Sequence, residues 1–161
     1  MTTDPSPLNE GQVWYDTTSY QFKIAVYNTA AWASGGNMGT GRGFISGCGT
    51  QTAGLAIAGF SPYTNATEEY DGAAWAAGGA LPSVRAGVAA AGTQTAGLSA
   101  GGLQGNTSST QEYDGSTWSP GGNLNTSTYS ASGTGVQTAA LISGGVPSGT
   151  TAQEYDGSAW A

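Results

Sequence analysis

Residues 112–118 read Glu-Tyr-Asp-Gly-Ser-Thr-Trp, and near-copies of this phrase occupy residues 69–75 and 154–160. A weaker copy, residues 26–32, reads Val-Tyr-Asn-Thr-Ala-Ala-Trp, so the closing tryptophan recurs at intervals of 43, 43 and 42 residues. Repetition at a fixed period of this length is typical of repeat architectures. Repeats of about 40–50 residues built from short strands are typical of propellers, with one four-stranded blade per repeat. The sequence therefore predicts an all-β propeller.

One repeat divides into four strands. Gly87–Gly92 is a short apolar run between glycines, and Ala96–Gly102 alternates with a period of two, so both are predicted strands. A third strand carries Glu112 and Tyr113. The Asp-Gly pair that follows predicts a tight hairpin turn into a fourth strand containing Trp118. These four antiparallel strands form an up-and-down meander, as a propeller blade requires.

The period also divides the chain. We expect an N-terminal extension over residues 1–10, a hairpin and incomplete blade over 11–32, and three blades over 33–75, 76–118 and 119–160 within the segment 33–161. That is about 3.75 blades per chain, whereas propellers have about four to eight. Either the chain forms a compact four-bladed ring with one incomplete blade, or protomers join to complete a larger ring. Exposed strand edges favour association, so we expect a homo-oligomer.

Composition excludes several classes of function. The net charge is −7 with only three Lys and Arg residues, so nucleic acid is a poor partner. No run approaches the roughly 20 apolar residues of a membrane helix, and no secretory signal is visible, so we expect no membrane partner. The chain has no histidine, which removes the usual catalytic base and any His-containing metal site. We expect no enzymatic activity, no cofactor and no metal, and we expect Cys48 to be a small buried residue.

The repeated acidic and aromatic residues favour structural roles. Asp of each phrase suits the hairpin turn, and Glu points to the face opposite Tyr. The alternative for the acidic residues is a calcium or sugar-hydroxyl site at the adjacent pair Glu68 and Glu69. The aromatic residues of the phrases are expected to be buried between neighbouring blades; those singled out are Trp75, Trp118, Tyr70 and Tyr113.

The sequence of the repeat resembles the kelch repeat, in which an apolar strand ends in Gly-Gly and is followed by Tyr and then Trp. The residues that carry this resemblance are Gly101-Gly102, Tyr113 and Trp118, then Gly144-Gly145, Tyr155 and Trp160. Leu81–Arg85 resembles the link between kelch blades. Ala58-Gly59 departs from the pattern, and Thr128 stands where Arg42 and Arg85 stand in the other repeats. The resemblance implies a kelch-like β-propeller.

Two segments are similar to repeat proteins of tailed bacteriophages. They are Cys48–Leu55 and Glu10–Thr18, and the Glu-Tyr-Asp-Gly-x-x-Trp phrases share this resemblance. Glu10–Thr18 resembles the short Gly-x-Trp-Tyr/Phe-Asn/Asp hairpins that precede adhesive modules in phage fibre proteins. This resemblance implies a non-enzymatic virion structural protein, such as a tail fibre, tail-tip or capsid-decorating propeller on the particle surface. Its partners would be other virion proteins or a host-surface glycan. The alternatives are a kelch-type protein–protein interaction scaffold and, with least support, a glycan-cleaving enzyme.

Variable loops within a constant frame predict the contact surface. The loops between second and third strands are predicted at Ser61–Ala66, Gln104–Ser108 and Pro147–Thr150, crowding one rim. The candidate contact residues in these loops are Tyr63, Asn65, Gln104 and Asn106. Further candidates are Trp14 and Tyr15 in the N-terminal hairpin, and Arg42 and Arg85, which are expected at the opposite rim.

Overall fold

The computed structural model describes residues 12–16, 18–24, 33–104, 107–147 and 149–161. These residues form β-strands and contain no helix. The chain divides into two compact units, Met1–Ser34 and Gly35–Ala161. In the first unit, β1 (Val13–Asp16) and β2 (Gln21–Ile24) form an antiparallel hairpin in which Val13 pairs with Ile24. The Asp16 carboxylate accepts the Thr18 N–H at 2.8 Å and thereby shapes the turn.

The second unit consists of three antiparallel sheets that follow one another along the chain. Sheet 1 is β3 (Ser46–Thr50), β4 (Ala53–Gly59), β5 (Thr64–Tyr70) and β6 (Trp75–Ala77). Sheet 2 is β7 (Ala89–Gly92), β8 (Gly97–Ala100), β9 (Thr110–Tyr113) and β10 (Trp118–Pro120). Sheet 3 is β11 (Ser132–Val136), β12 (Ala139–Ser143) and β13 (Ala152–Tyr155), and a Tyr155–Trp160 bridge stands in place of its fourth strand. Each strand pairs with the next, so the predicted all-β meanders of antiparallel strands are confirmed.

The Asp residues of the phrases form the hairpin turns, as the sequence predicts. The Asp114 carboxylate accepts the N–H groups of Ser116 at 2.8 Å and Thr117 at 2.7 Å. These hydrogen bonds to the charged form hold the pKa of Asp114 well below its usual range. Gly115 has a φ of 92°, which disfavours residues with a side chain. Asp71 and Asp156 make the equivalent bonds in sheets 1 and 3.

The core lies between successive sheets. Leu55 of sheet 1 clusters with Tyr113 and Trp118 of sheet 2, and Leu98 of sheet 2 clusters with Tyr155 and Trp160 of sheet 3. Small residues permit the first strands of sheets 2 and 3 to approach closely. A Cβ on Gly133 of β11 would lie 2.3 Å from the carbonyl oxygen of Ala90 in β7. Glycine is therefore required at this contact.

Two of the four aromatic residues expected between blades are placed differently. Tyr113 and Trp118 are buried as predicted, but Tyr70 and Trp75 are only half-buried. The reason is their position on the face of sheet 1 that points away from sheet 2. Within the described part of the second unit, no other sheet packs on that face.

The loop predicted at Ser61–Ala66 is shorter than expected. Strand β5 begins at Thr64, so Asn65 lies in a strand and not in a loop. Contacts with the next repeat extend this strand: Arg85 N–H donates to the Thr64 carbonyl at 3.2 Å, and Leu81 N–H donates to the Asn65 carbonyl at 2.8 Å. These partners lie about half a repeat away in sequence, which a local pattern does not reveal.

Candidate binding surface

One end of the second unit carries the connections in which the sequence predicts contact loops. Gly43 and Phe60 exchange two backbone hydrogen bonds of 2.9 and 2.7 Å, which places the start of sheet 1 beside its β4–β5 connection. Bridges between Ala86 and Leu103 and between Tyr129 and Val146 repeat this arrangement in sheets 2 and 3. We call the end defined by these three bridges the loop end.

The loop end of sheet 1 carries three aromatic side chains in contact. The ring of Phe60 lies 4.7 Å from that of Tyr63 and 6.5 Å from that of Phe44, measured between centroids. Phe44 is 63% exposed and Phe60 is 42% exposed, while Tyr63 is half-buried. We call Phe44, Phe60 and Tyr63 the aromatic cluster. Edge-to-face packing of this kind fixes the rings while leaving much of their surface to solvent.

The backbone holds Phe44 at this exposed position. The Gly87 N–H donates to the Phe44 carbonyl at 3.0 Å, and the Ser130 N–H donates to the Gly87 carbonyl at 2.7 Å. All three residues have left-handed backbone conformations, with φ of 48°, 59° and 55°. Phe44 thus occupies the position that Gly87 and Ser130 fill in the next two repeats, and only sheet 1 displays an aromatic ring there.

Sequence reasoning identified Tyr63 but missed Phe44 and Phe60. A signal was present, because each is a large aromatic residue in a glycine-rich connection whose counterparts are smaller. Gly87 and Ser130 stand at the position of Phe44, and Leu103 and Val146 stand at that of Phe60. Comparison of the repeats position by position would have found both residues.

The other candidate contact residues in the loops differ in exposure and in hydrogen bonding. Gln104 is exposed at the loop end of sheet 2, with a φ of 82°. Asn106 lies outside the described residues. Asn65 is half-buried, and its side-chain amide donates to the Leu81 carbonyl at 2.8 Å. Its polar group therefore joins two parts of the scaffold.

The two arginines are not at the opposite rim. Arg42 is next to the Gly43–Phe60 bridge and Arg85 is bridged to Thr64, so both lie beneath the loop end. Arg85 is buried, and its guanidinium donates to the Ser109 carbonyl at 3.1 Å and to the Ser109 hydroxyl at 3.0 Å. Burial lowers the pKa of Arg85. The prediction that these arginines lie at the opposite rim is wrong. Their position in the sequence did not show that the segments that carry them pair with the β4–β5 connection and the start of β5.

The adjacent acidic pair does not form a shared site. Glu68 is buried, forms an ion pair with Arg42 and accepts the Gly39 N–H at 2.6 Å. Burial raises its pKa, but the bonds from Gly39 and Arg42 outweigh burial and lower the pKa overall. Glu69 is on the opposite face of β5 and accepts the Tyr113 hydroxyl at 2.5 Å. The two carboxylates thus serve different partners.

The repeated Glu residues join one sheet to the next. The Tyr113 hydroxyl donates to Glu69, and the Tyr155 hydroxyl donates to Glu112 at 2.5 Å. Burial and the neighbouring Glu112 carboxylate raise the pKa of Tyr155 to about 12. The sequence placed Glu opposite Tyr within a strand, but it did not reveal that Glu binds the Tyr of the following repeat.

The remaining residues singled out by the sequence, Trp14, Tyr15 and Cys48, do not belong to the segments that define the loop end. Trp14 is half-buried in β1, and the exposed Tyr15 packs its ring 5.1 Å from that of Phe22. Cys48 is partly buried, and burial raises its thiol pKa to about 11. The described residues contain no cluster of three or more His, Cys, Asp or Glu side chains suited to a metal ion. They also include no helix with the length and apolar character to cross a membrane.

Comparison with known proteins gives a likeness of fold. No protein-family model and no curated protein sequence matches the chain. The solved structure of YjhT is similar, with a TM-score of 0.61 and 15% sequence identity over 88% of this chain and 48% of that chain. The chain therefore spans about half the length of that protein. At this identity the likeness concerns the fold alone.

Proposed function

We propose that the three sheets are blades of a kelch-like β-propeller and that the protein is a non-enzymatic bacteriophage virion component. Its function is to bind a host-surface glycan through the aromatic cluster at the loop end. Support for the propeller comes from the meander sheets that repeat with the sequence period and from the fold likeness to YjhT. Support for a virion location comes from the resemblance of the Cys48–Leu55 and Glu10–Thr18 sequences to repeat proteins of tailed bacteriophages.

The aromatic cluster is the observation that carries the binding proposal. Exposed contiguous apolar surface on a protein marks interaction sites. Here Phe44 and Phe60 expose ring surface at an end that also presents the exposed polar side chains of Ser61, Gln104 and Ser130. Aromatic faces beside hydroxyl and amide groups suit a sugar, which has apolar C–H faces and a rim of hydroxyl groups.

The engagement of the repeated carboxylates supports binding over glycan cleavage. A glycosidase requires two carboxyl groups at a set separation across the scissile bond. In this chain Glu69 and Glu112 bind tyrosine hydroxyls of the next sheet. Asp71, Asp114 and Asp156 cap hairpin turns. Each of these groups already has a structural partner.

A glycan array followed by titration calorimetry tests the binding proposal. Replacing Phe44 or Phe60 with Ala should weaken binding of the best array ligand about fivefold, since loss of one stacked ring costs about 1 kcal/mol. Val146→Ala is the matched control, because Val146 occupies the position of Phe60 in sheet 3. It should bind like the parent. Equal affinity for all four proteins would contradict the assignment of the cluster.

The virion location has an independent test. Immunogold electron microscopy of the phage whose genome encodes this chain should label the particle surface. Absence of the protein from purified particles would favour the alternative of a kelch-type scaffold for cellular proteins. In that case the same Phe44 and Phe60 variants are tested against captured protein partners.

A further inference from the structure

The interface between successive sheets has one design that the chain uses twice. Between sheets 1 and 2, Leu55 lies against Tyr113 and Trp118, and the Tyr113 hydroxyl donates to Glu69. The side-chain amide of Gln94 crosses the same boundary. It donates to the carbonyls of Tyr70 at 2.8 Å and Gly54 at 3.2 Å.

Sheets 2 and 3 repeat these contacts one period later. Leu98 lies in the cluster that includes Tyr155 and Trp160, and the Tyr155 hydroxyl donates to Glu112. Gln137 donates to the carbonyls of Tyr113 at 2.8 Å and Gly97 at 3.0 Å. The preceding sheet thus supplies Leu, Glu and two carbonyls. The following sheet supplies Tyr, Trp and Gln.

Sheet 3 presents the first half of this interface on an open face. Leu141 stands one period after Leu98, yet it is 39% exposed, whereas Leu55 and Leu98 are buried. Glu154 stands in the place of Glu69 and Glu112 and is exposed. A groove runs beside them along Ala139–Leu141, Glu154 and Tyr155. The face therefore has the shape and the acceptor groups that receive a following sheet elsewhere in the molecule.

Sheet 1 presents the second half. The rings of Tyr70 and Trp75 stack at 5.0 Å, close to the 4.8 Å of the two buried Tyr–Trp pairs, but both residues are only half-buried. Gln51 occupies the position of Gln94 and Gln137 and is exposed. The side chains that would bind a preceding sheet are thus already arranged as they are at the buried interfaces.

We propose that a second copy of this chain joins these two faces, with sheet 1 of one copy packed on sheet 3 of the other. Leu141 then lies under Tyr70 and Trp75, and the Tyr70 hydroxyl donates to Glu154. The Gln51 amide donates to the carbonyls of Ala140 and Tyr155, which correspond in register to Gly97 and Tyr113. Both faces of one copy are used, because each copy carries both halves.

The sequence favours a second copy over the N-terminal repeat as the occupant of sheet 1. The residues one period before Leu55 and Glu69 are Gln12 and Val26. The N-terminal repeat therefore lacks both the apolar side chain under the aromatic pair and the acceptor for the tyrosine hydroxyl. Leu141 and Glu154 of the last repeat supply both groups.

Two copies suffice to close a ring. A head-to-tail interface generates a ring when its rotation closes. The described part of the second unit has three sheets, so two copies contribute six of them, within the range of about four to eight blades in propellers.

Sedimentation equilibrium of the full chain tests the assembly. The parent should have twice the mass of one chain, and Leu141→Asp and Glu154→Arg should each sediment as monomers. Val84→Asp is the matched control, because Val84 is also an exposed aliphatic residue but lies outside both end faces. It should remain a dimer. Circular dichroism should be unchanged in all variants, since each replaced side chain is exposed.

A mixing experiment identifies the occupant of each face. Trp75→Ala damages one half of the interface and Leu141→Asp damages the other, so an equal mixture contains one intact interface per heterodimer. The two monomeric variants should therefore associate when mixed. The proposal is overturned if the parent is monomeric or if the two variants stay monomeric when mixed. It is also overturned if Trp32→Ala dissociates the dimer and Trp75→Ala does not. The last result would assign the contact to the N-terminal repeat.

Discussion

At the scale of single residues, the Asp, Glu and Trp positions of the repeated phrase have distinct physical roles. Asp accepts the N–H groups of a turn; where two sheets meet, Glu accepts a tyrosine hydroxyl from the following sheet and Trp buries its ring against the preceding sheet. The Trp118 indole N–H donates to the Thr67 hydroxyl at 3.0 Å and to the Gly79 carbonyl at 2.9 Å. The phrase recurs because the same interface is built repeatedly.

Trp118→Ala should lower the free energy of unfolding by about 3–5 kcal/mol, because it removes a buried ring and both indole hydrogen bonds. Urea denaturation measures the change. Val84→Ala, at an exposed position, should change the same quantity by less than about 0.5 kcal/mol. A Trp118→Ala protein as stable as its parent would mean that this ring does not anchor the sheets.

Stability should fall above pH 10 because of Tyr155. Its pKa rises from 10.0 to about 12 on folding, through burial and the Glu112 carboxylate, so the folded state retains a proton that the unfolded state loses. The resulting stabilisation is complete below pH 10 and is lost as pH rises toward 12. Urea unfolding at pH 9, 10 and 11 should show this decline, and Tyr155→Phe should reduce its slope. An unchanged slope would exclude Tyr155 as its source.

At the scale of elements, local signals were sufficient where turns and strand periods decide the structure. Asp-Gly pairs and glycine-bounded apolar runs located the strands of sheet 2 within a few residues. Long-range contacts decided the rest. Strand β5 extends to Thr64 through bonds to Arg85, and the buried Arg85 donates to Ser109, which directly precedes the third strand of sheet 2. The sequence around Thr64 does not identify Arg85 as its partner, and the sequence around Arg85 does not identify Ser109.

Asp114→Ala should lower the melting temperature, since the turn loses the acceptor for the Ser116 and Thr117 N–H groups. Asp114→Asn is the matched control, because its side-chain oxygen can still accept these bonds. Scanning calorimetry at pH 7 should place the melting temperature of Asp114→Asn between those of Asp114→Ala and the parent. Equal melting temperatures for the Ala and Asn variants would show that the carboxylate charge, and not the acceptor geometry, stabilises the turn.

At the scale of the whole molecule, the sequence period predicted repeated antiparallel sheets but not which aromatic residues stay exposed. Tyr70 and Tyr113 have the same local sequence, and only their places in the array differ. Phe44 and Phe60 likewise belong to ordinary connections, and their contact became evident only when the Gly43–Phe60 bridge placed them together. The exposure of residues at the loop end and on the open faces of sheets 1 and 3 therefore depends on how the sheets follow one another, and not on the local sequence.

A crystal structure of the full chain tests most directly the claim that these repeats are propeller blades completed by a second copy. We expect a closed ring of six sheets from two copies, with the Tyr70 hydroxyl of one copy within hydrogen-bonding distance of Glu154 of the other. An unclosed monomer, or a ring in which residues 12–32 of the same chain cover Tyr70 and Trp75, would contradict it.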